Sequence, residues 1–367
     1  MTNTTHSGNA CRTAAARLAA GRHPGPILAE EASDFRAWVE AQGLGGLAVL
    51  ALDQQRLSLP IDAAEGIRTD WLAARRWSAA LDLELERIGR RVLGEPGLSP
   101  PIVLKGPAVA RRYAEPSVRS YGDLDLLVPP EEVGRWASLL TSLGYDAPDP
   151  WLYRNSLRFE HHVVFRRATP ARGMLCEVHT RMFMERRARS IGHGALTGVS
   201  EPSPFPGVLM CSQPAQLVVL ALHLLHHRAD CRRLIWLRDL IELGDRASTA
   251  EARLLAGRLG VRWALERALW SAERLLGEAR WAAVSPSKDG GDLVEVLELG
   301  EAGHLYQLAR ARDLGLAEGM RYLLSRLDPQ RFTGAETGSR WGDARAWLRR
   351  HLARAITTPW SRGLNHR

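Results

Sequence analysis

A block of strand-like segments interrupts a chain whose other segments have helical spacing. Apolar residues recur every three or four positions over residues 62–93, which predicts one long amphipathic helix. Over residues 102–180 the pattern changes to short strands separated by turns that carry Pro and Gly. After Pro214 the spacing is helical again. This order predicts the α+β class, with a small mixed β-sheet and helices between helical flanks.

Four strands are predicted inside this block, in the order strand, helix, strand, helix, strand, strand. They cover residues 102–105, 123–128, 158–166 and 174–180. The first 29 residues contain no acidic residue and end near the helix-breaking sequence HPGP. The chain is therefore divided into a disordered lead-in (1–29), an N-terminal helical region (30–98), a core (99–200) and a C-terminal helical region (201–367).

The composition narrows the function classes. The formal net charge is +8, but Lys105 and Lys288 are the only lysines, so 47 of the 49 basic residues are arginines. This skew is typical of a GC-rich genome, and the sequence has no block of five or six like charges that would indicate a polyanion-binding tail. No apolar run reaches the roughly 20 residues of a membrane span, so no membrane partner is predicted.

The pattern of the cysteines indicates the redox state of the compartment in which the protein folds. No Cys-x-x-Cys pair occurs among Cys11, Cys176, Cys211 and Cys231. Their scatter argues against a disulfide framework and against a zinc site. A reducing, cytoplasmic setting is therefore predicted.

Two carboxylates, Asp123 and Asp125, stand inside an otherwise apolar strand. Residues at i and i+2 of a strand point the same way, so these like charges are neighbours and need a positive partner. Glu177, on a later strand, is a candidate third carboxylate. Proteins hold Mg²⁺ through few carboxylates, and two such ions can clamp the oxygens of a phosphoryl displacement. The pattern predicts a Mg²⁺ site with two ions, whereas Asp123 and Asp125 alone would also suit a solvated edge strand.

Lys105 and Gly106 lie where the first predicted strand meets its helix. A glycine at such a turn lets backbone N–H groups approach a phosphate. The ammonium directly before it, together with Arg119, is predicted to neutralise the phosphates of a nucleotide. Pro107 suits the first helical turn but has no N–H to offer.

The motifs, taken in order, resemble the DNA polymerase β-like nucleotidyltransferase superfamily, and within it a group of uncharacterised bacterial nucleotidyltransferases. VLKGPAVARRYAEPSVRSYGDLDLLV is similar to the LKG…R…DxDLLV core of that group. CEVHTRMF is similar to its later (D/E)xHxR(L/F) strand, and residues 223–243 resemble its Leu-Trp-Leu-x-Asp-Leu helical segment. The resemblance covers about residues 102–245.

The resemblance implies a set of site residues with three roles. They are catalytic and metal-binding Asp123, Asp125 and Glu177, nucleotide-binding Lys105, Gly106 and Arg119, and possible substrate-contacting His162 and His179. Glu177 would also help to activate the attacking hydroxyl. The superfamily usually has Gly or Ser after the glycine, whereas Pro107 lacks the hydroxyl, and Arg119 is the predicted replacement for that phosphate contact.

The implied activity is that of a bacterial, cytoplasmic transferase. It would bind an NTP such as ATP with Mg²⁺, move the nucleoside monophosphate to an acceptor hydroxyl and release pyrophosphate. The motif leaves the acceptor open, and a small molecule, peptide or protein is favoured over nucleic acid. A catalytically inactive module of the same fold, which senses nucleotides or holds a partner, is the alternative, and Pro107 favours it. A nucleic-acid binder ranks last, because no helix gathers its arginines on one face.

Several polar residues near the end of the resemblance are interpreted as structural. His223, His226 and His227 have helical spacing but no Cys, Asp or Glu at ligand spacing, so they are interpreted as solvated or core histidines. Asp239 is interpreted as structural, in an ion pair with an arginine such as Arg233 or Arg238.

Overall fold

The α+β class is confirmed by the computed structural model of the protein. The structure describes residues 4–148, 153, 156–157, 160–170, 172–182, 191–226, 233–277 and 280–281. The predictions that concern Cys231, His227 and Lys288, and those for the chain beyond residue 281, lie outside the described residues.

Helices surround a mixed sheet. Before the sheet come α1 (Thr4–Ala19), α2 (Ala32–Ala41), α3 (Gly45–Asp53) and α4 (Ile61–Leu93). The sheet region contains β1 (Ile102–Val103), α5 (Pro107–Ala110), β2 (Leu124–Leu127), α6 (Val133–Ser142), β3 (His162–Arg167), β4 (Met174–His179), α7 (His193–Thr197), β5 (Ser200–Pro202) and β6 (Leu209–Cys211). It is followed by α8 (Gln213–His226), α9 (Leu234–Leu243), α10 (Arg246–Arg258) and α11 (Arg262–Leu276).

The sheet has the strand order β3-β4-β2-β1-β6-β5. Its central strand β2 runs antiparallel to β1 and parallel to β4, while β1 is parallel to β6. The outer pairs β3/β4 and β5/β6 are antiparallel. The parallel pairing of β2 with β4 determines the geometry of the site. It fixes which residues of these two strands, which are distant in sequence, lie opposite each other.

The main core lies on one face of this sheet. Alternate residues of β2 and β4, such as Leu124, Leu126 and Cys176, are fully buried there together with the apolar stripe of α4 and Trp136 of α6. The predicted long helix over 62–93 agrees with α4 within one residue. Since side chains alternate along a strand, the other face of the sheet receives Asp125, Glu177 and His179.

Three features differ from the sequence analysis. The segment 1–29 contains α1, whose Cys11, Ala15 and Leu18 are buried, so the prediction of disorder there was wrong. Its small side chains pack closely against other helices, which the absence of acidic residues does not reveal. Strands β5 and β6 were not predicted, because segments of three residues carry too little periodicity, and they extend the sheet beyond residue 200. The four-part division of the chain stays a prediction.

A close approach of α4 to the turn before β6 gives a test of the packing. A Cβ atom added at Gly89 would lie 1.9 Å from the carbonyl oxygen of Pro206, whereas nothing lies within 4 Å of a Cβ added at Gly134 in α6. Ala is otherwise the better helix residue by roughly 1 kcal/mol. We expect Gly134→Ala to raise the free energy of unfolding by about 0.5–1 kcal/mol. Gly89→Ala should lower it by about 1–3 kcal/mol, because the helix must move away from the turn. Urea denaturation measures both, and stabilisation by both would contradict this packing.

Candidate active site

The register of two parallel strands brings the predicted carboxylates together. Asp125 of β2 pairs directly with Glu177 of β4, and Leu127 pairs with His179. Glu177 and His179 are two residues apart, so their side chains share the face that Asp125 occupies. Ligand atoms of Asp125, Glu177 and His179 all lie within 4.8 Å of one another. The structure therefore brings together residues of two strands that lie more than fifty positions apart in the chain.

Asp125 is the centre of this group. Its side chain is only 2% exposed, and its Oδ1 lies 2.9 Å from the Lys105 ammonium and 3.0 Å from Nε2 of His179. Burial alone would raise the pKa of the Asp125 carboxyl, but Lys105 and the hydrogen bond with His179 hold it well below its usual value. The carboxylate is thus ionised at neutral pH, and the positive partners that the strand requires are Lys105 and His179.

Lys105 and His179 both have a raised pKa in spite of their burial. Burial alone would lower the pKa of both groups. For Lys105 the charges of Asp125 and Glu177 outweigh this and raise the pKa, while His179 gains more from hydrogen bonds to the same two carboxylates. The sequence analysis placed Lys105 on nucleotide phosphate, and in the structure its ammonium contacts a carboxylate.

Asp123 stands just before β2 and differs from Asp125 in its surroundings. Burial and the neighbouring Asp125 charge raise the pKa of Asp123 to about 6. Within the described residues its carboxylate has no hydrogen bond or ion pair, and it is not part of the close group of Asp125, Glu177 and His179. A partly buried carboxylate with this deficit of positive charge is suited to binding a cation.

Glu177 is the more accessible member of the carboxylate group. Its side chain is 22% exposed, and its Oε2 lies 3.5 Å from Nε2 of His179 and 3.9 Å from Nε2 of His162. Burial alone would raise the pKa of Glu177, but the hydrogen bond from His179 leaves it below the usual value. His162 is neutral, because burial and the nearby His179 charge lower its pKa to about 4. Both predicted histidines therefore lie beside Glu177.

Gly106 adopts a backbone conformation that favours glycine. Its φ is +50°, and a Cβ atom there would lie 3.3 Å from the ring of Tyr121. The amides that follow offer little to a phosphate. Pro107 has no N–H, and the N–H of Ala108 already donates to the carbonyl of Lys105. Phosphate charge at this turn would have to be met by side chains.

Arg119 has a partner inside the protein. Its Nε and Nη2 donate to the two carboxylate oxygens of Asp239 at 2.7 and 2.8 Å, and the side chain is only 10% exposed. Its binding of nucleotide phosphate stays a prediction, against which this ion pair argues. Arg119 is also the observed partner of Asp239, while Arg238 pairs with Glu242. The predicted structural role of Asp239 and its ion pair with an arginine agree with the structure, but the suggested partners Arg233 and Arg238 were wrong.

Sequence reasoning missed two histidines beside the site. Nδ1 of His223, on α8, lies 3.3 Å from the Lys105 ammonium. The ring centroid of His161 is 5.3 Å from that of His179. Strand alternation would let only one of the adjacent residues His161 and His162 face the site. It does not apply here, because His161 precedes the first residue of β3.

Comparison with known proteins decides the family. The model of a family described as uncharacterised nucleotidyltransferase matches residues 29–277, which is more than half of the chain. The chain belongs to this family. Searches of curated proteins and of solved structures gave no match.

This membership makes the protein a transferase that acts on a nucleoside triphosphate. Nucleotidyltransferases generally use divalent metals, and the buried acidic and histidine groups of this nucleotidyltransferase offer ligands for one. In the part of the chain that the structure describes, no helix combines the length and apolar character needed to cross a membrane.

Proposed function

We propose that this nucleotidyltransferase uses Mg²⁺ to transfer a nucleoside monophosphate from an NTP to an acceptor hydroxyl, with release of pyrophosphate. The observation that supports this most is the pairing of Asp125 with Glu177 on adjacent parallel strands, beside Asp123. The acceptor that we favour is a small molecule, peptide or protein. The setting that we favour is the bacterial cytoplasm, and the buried, unbridged thiols of Cys11, Cys176 and Cys211 support a reducing compartment.

The residues present fit a divalent metal. Asp123, Asp125 and Glu177 supply the hard oxygen ligands that Mg²⁺ prefers, and two ions are proposed. The Asp123 carboxylate lacks a hydrogen-bond or ion-pair partner among the described residues, and burial and the Asp125 charge raise its pKa, so a bound cation would stabilise its charged form. When bound, Mg²⁺ would neutralise phosphate charge and polarise the phosphoryl group.

The side chains of the chain would position the reactants and hold protons. The acceptor oxygen forms a bond to the α-phosphorus, and the bond from that phosphorus to the bridging oxygen of the β-phosphate breaks, so pyrophosphate leaves with the electron pair. The acceptor proton passes to a carboxylate oxygen of Glu177, which is ionised and 22% exposed. Lys105 and His179 hold Asp125 in its charged form throughout.

The phosphates would be bound by side chains rather than by backbone amides. A cavity of about 150 Å³ opens beside Pro107 and Tyr121. Arg75 and Arg111 line it, together with Arg119, whose guanidinium is already paired with Asp239. Such a cavity has room for a phosphate group but not for a whole nucleotide. We therefore assign the triphosphate to the region between Lys105, Gly106 and this cavity.

A transfer assay with the source-cell lysate tests the proposal. The purified chain is incubated with lysate and each NTP, labelled in turn at the α- and γ-phosphate. We expect the α-label to enter a product and the γ-label to appear as pyrophosphate. Both signals should disappear when a chelator removes Mg²⁺ and return when Mg²⁺ is added back. Transfer of the γ-label to the product would contradict the proposed reaction, because it indicates a kinase.

The alternative function is a catalytically inactive module that senses nucleotides or holds a partner. Pro107 and the occupied amide of Ala108 support it, because they leave the turn after Gly106 with few N–H donors. Calorimetry of NTP binding with and without Mg²⁺ separates the two functions. Binding that is independent of Mg²⁺ and is not followed by turnover favours the module, whereas the enzyme requires Mg²⁺-dependent binding.

A further inference from the structure

Three imidazole rings meet where β3 begins and β4 ends. The ring centroids of His161 and His162 are 4.5 Å apart, and that of His179 lies 5.3 Å and 5.1 Å from them. The antiparallel pairing of His162 with His179 fixes this arrangement. Ligand nitrogens of the three residues all lie within 4.8 Å of one another. The cluster is distinct from the carboxylate group, although His179 belongs to both.

The burial of these imidazole rings destabilises the fold unless a ligand binds their unpartnered nitrogens. His161 is 7% exposed and His179 is 4% exposed. Nδ1 of His179 and Nδ1 of His162 are both buried, and neither has a hydrogen-bond partner within the described residues. A buried polar atom without a partner destabilises the fold, because it has lost its hydrogen bonds to water. Nδ1 of His179 is also the nitrogen that remains available, because Nε2 faces Asp125 at 3.0 Å.

We propose that His161, His162 and His179 bind a divalent transition-metal ion of the Zn²⁺ or Co²⁺ class. Imidazole nitrogen suits Zn²⁺ and Co²⁺, whereas Mg²⁺ prefers oxygen ligands, so the two kinds of ion would go to different groups. A tetrahedral ion with metal–nitrogen bonds near 2.0–2.1 Å needs nitrogens about 3.4 Å apart. Since the ligand nitrogens lie up to 4.8 Å apart, they would have to approach by up to about 1.4 Å, which side-chain rotations supply.

The partner of His179 supports metal binding at its other nitrogen. A metal-bound histidine generally donates its second ring N–H to a carboxylate or carbonyl, which fixes the tautomer and the ring orientation. Nε2 of His179 has this relationship with Asp125, and Glu177 lies 3.5 Å from the same nitrogen. The histidine site thus borders the carboxylate site through one shared residue, and it leaves the fourth position of the ion open to water or substrate. This inference does not depend on the proposed transfer reaction.

Cobalt binding to the full chain tests the site. Chelator-treated protein is titrated with Co²⁺ in the presence of excess Mg²⁺, which occupies the carboxylates. We expect one equivalent of Co²⁺ to give the visible d–d absorption of a four-coordinate ion, and Zn²⁺ to displace it. His162→Gln should weaken Co²⁺ affinity by about tenfold or more. The control is His23→Gln, since His23 is exposed and hydrogen-bonds only with the nearby Gly25 N–H in the described structure.

Two further measurements separate the outcomes. Asp123→Asn removes a carboxylate that lies outside the histidine cluster, so it should leave Co²⁺ affinity unchanged. In the Co²⁺-loaded wild-type protein, paramagnetically shifted imidazole N–H resonances count the histidine ligands without any substitution, and three are expected. The proposal is overturned if wild-type protein binds no Co²⁺, if His162→Gln binds it normally, or if Asp123→Asn weakens it as much as His162→Gln does.

Discussion

Replacing Asp125 with Asn is expected to lower kcat for nucleotidyl transfer by about 10³-fold or more. The substitution keeps the size of the side chain and removes one negative charge from the centre of the carboxylate group. Asp125 is 2% exposed and has Lys105 and His179 as direct partners, so no water shell replaces the lost charge. Initial rates measured over a range of Mg²⁺ concentrations would show whether saturating metal restores any activity.

The same substitution also affects stability, and the two effects need to be separated. Without Asp125 the Lys105 ammonium, which is 19% exposed, loses its nearest anion. The double variant Asp125→Asn/Lys105→Met removes both charges and should recover much of the thermal stability while transfer stays lost. Asp62→Asn, at the exposed first turn of α4, is the matched control and should change kcat less than about twofold. If purified, folded Asp125→Asn protein retains more than a tenth of the wild-type transfer rate, Asp125 is not a catalytic residue.

The local parts of the site could be predicted from the sequence. The apolar stripe of α4 follows the helical period. Asp123 and Asp125 can be recognised as charged residues in a strand whose other residues are apolar. Both features need only neighbouring residues. Strand β1 was also predicted, although only Ile102 and Val103 form it, because Gly106 and Pro107 mark its end.

The contacts between distant segments could not be predicted. Whether Asp125 faces Glu177 or its neighbour depends on the register of β2 with β4, and a shift by one residue would turn Glu177 into the core. Similarly, nothing in the spacing shows that Lys105 reaches Asp125, since Lys105 follows β1 and Asp125 lies within β2, and the pairing of these strands sets their distance. Motif order implies that the groups belong together, but the hydrogen bonds among them follow from tertiary packing.

The buried ion pair of Arg119 is another contact between distant segments that the sequence does not predict. Its loss is the substitution effect on stability that we expect to be largest. Asp239, on α9, is fully buried and accepts hydrogen bonds from Arg119 and from the hydroxyl of Tyr113 at 2.7 Å. These contacts join α9 to the loop that connects Gly106 with β2. The partners are more than a hundred residues apart, so the sequence analysis chose arginines nearer in the chain.

Asp239→Ala is expected to lower the free energy of unfolding by about 3–5 kcal/mol, measured by urea denaturation. It would leave the Arg119 guanidinium buried without its anion and remove the acceptor for the Tyr113 hydroxyl. Glu242→Ala is the matched control on the same helix. Its partner Arg238 is more exposed, and we expect a loss of about 1 kcal/mol or less. Equal losses in the two variants would contradict the structural role of the Arg119–Asp239 pair.

A double variant then decides what Arg119 does for the nucleotide. Replacing a buried ion pair with apolar residues of similar volume is often neutral, so Arg119→Met/Asp239→Leu should regain most of the stability that Asp239→Ala loses. If Arg119 serves only Asp239, the KM for NTP in this double variant stays within about threefold of the wild-type value. That is the result we expect, because both carboxylate oxygens of Asp239 already occupy the guanidinium. A rise of tenfold or more in KM, with stability regained, would instead show that Arg119 binds phosphate.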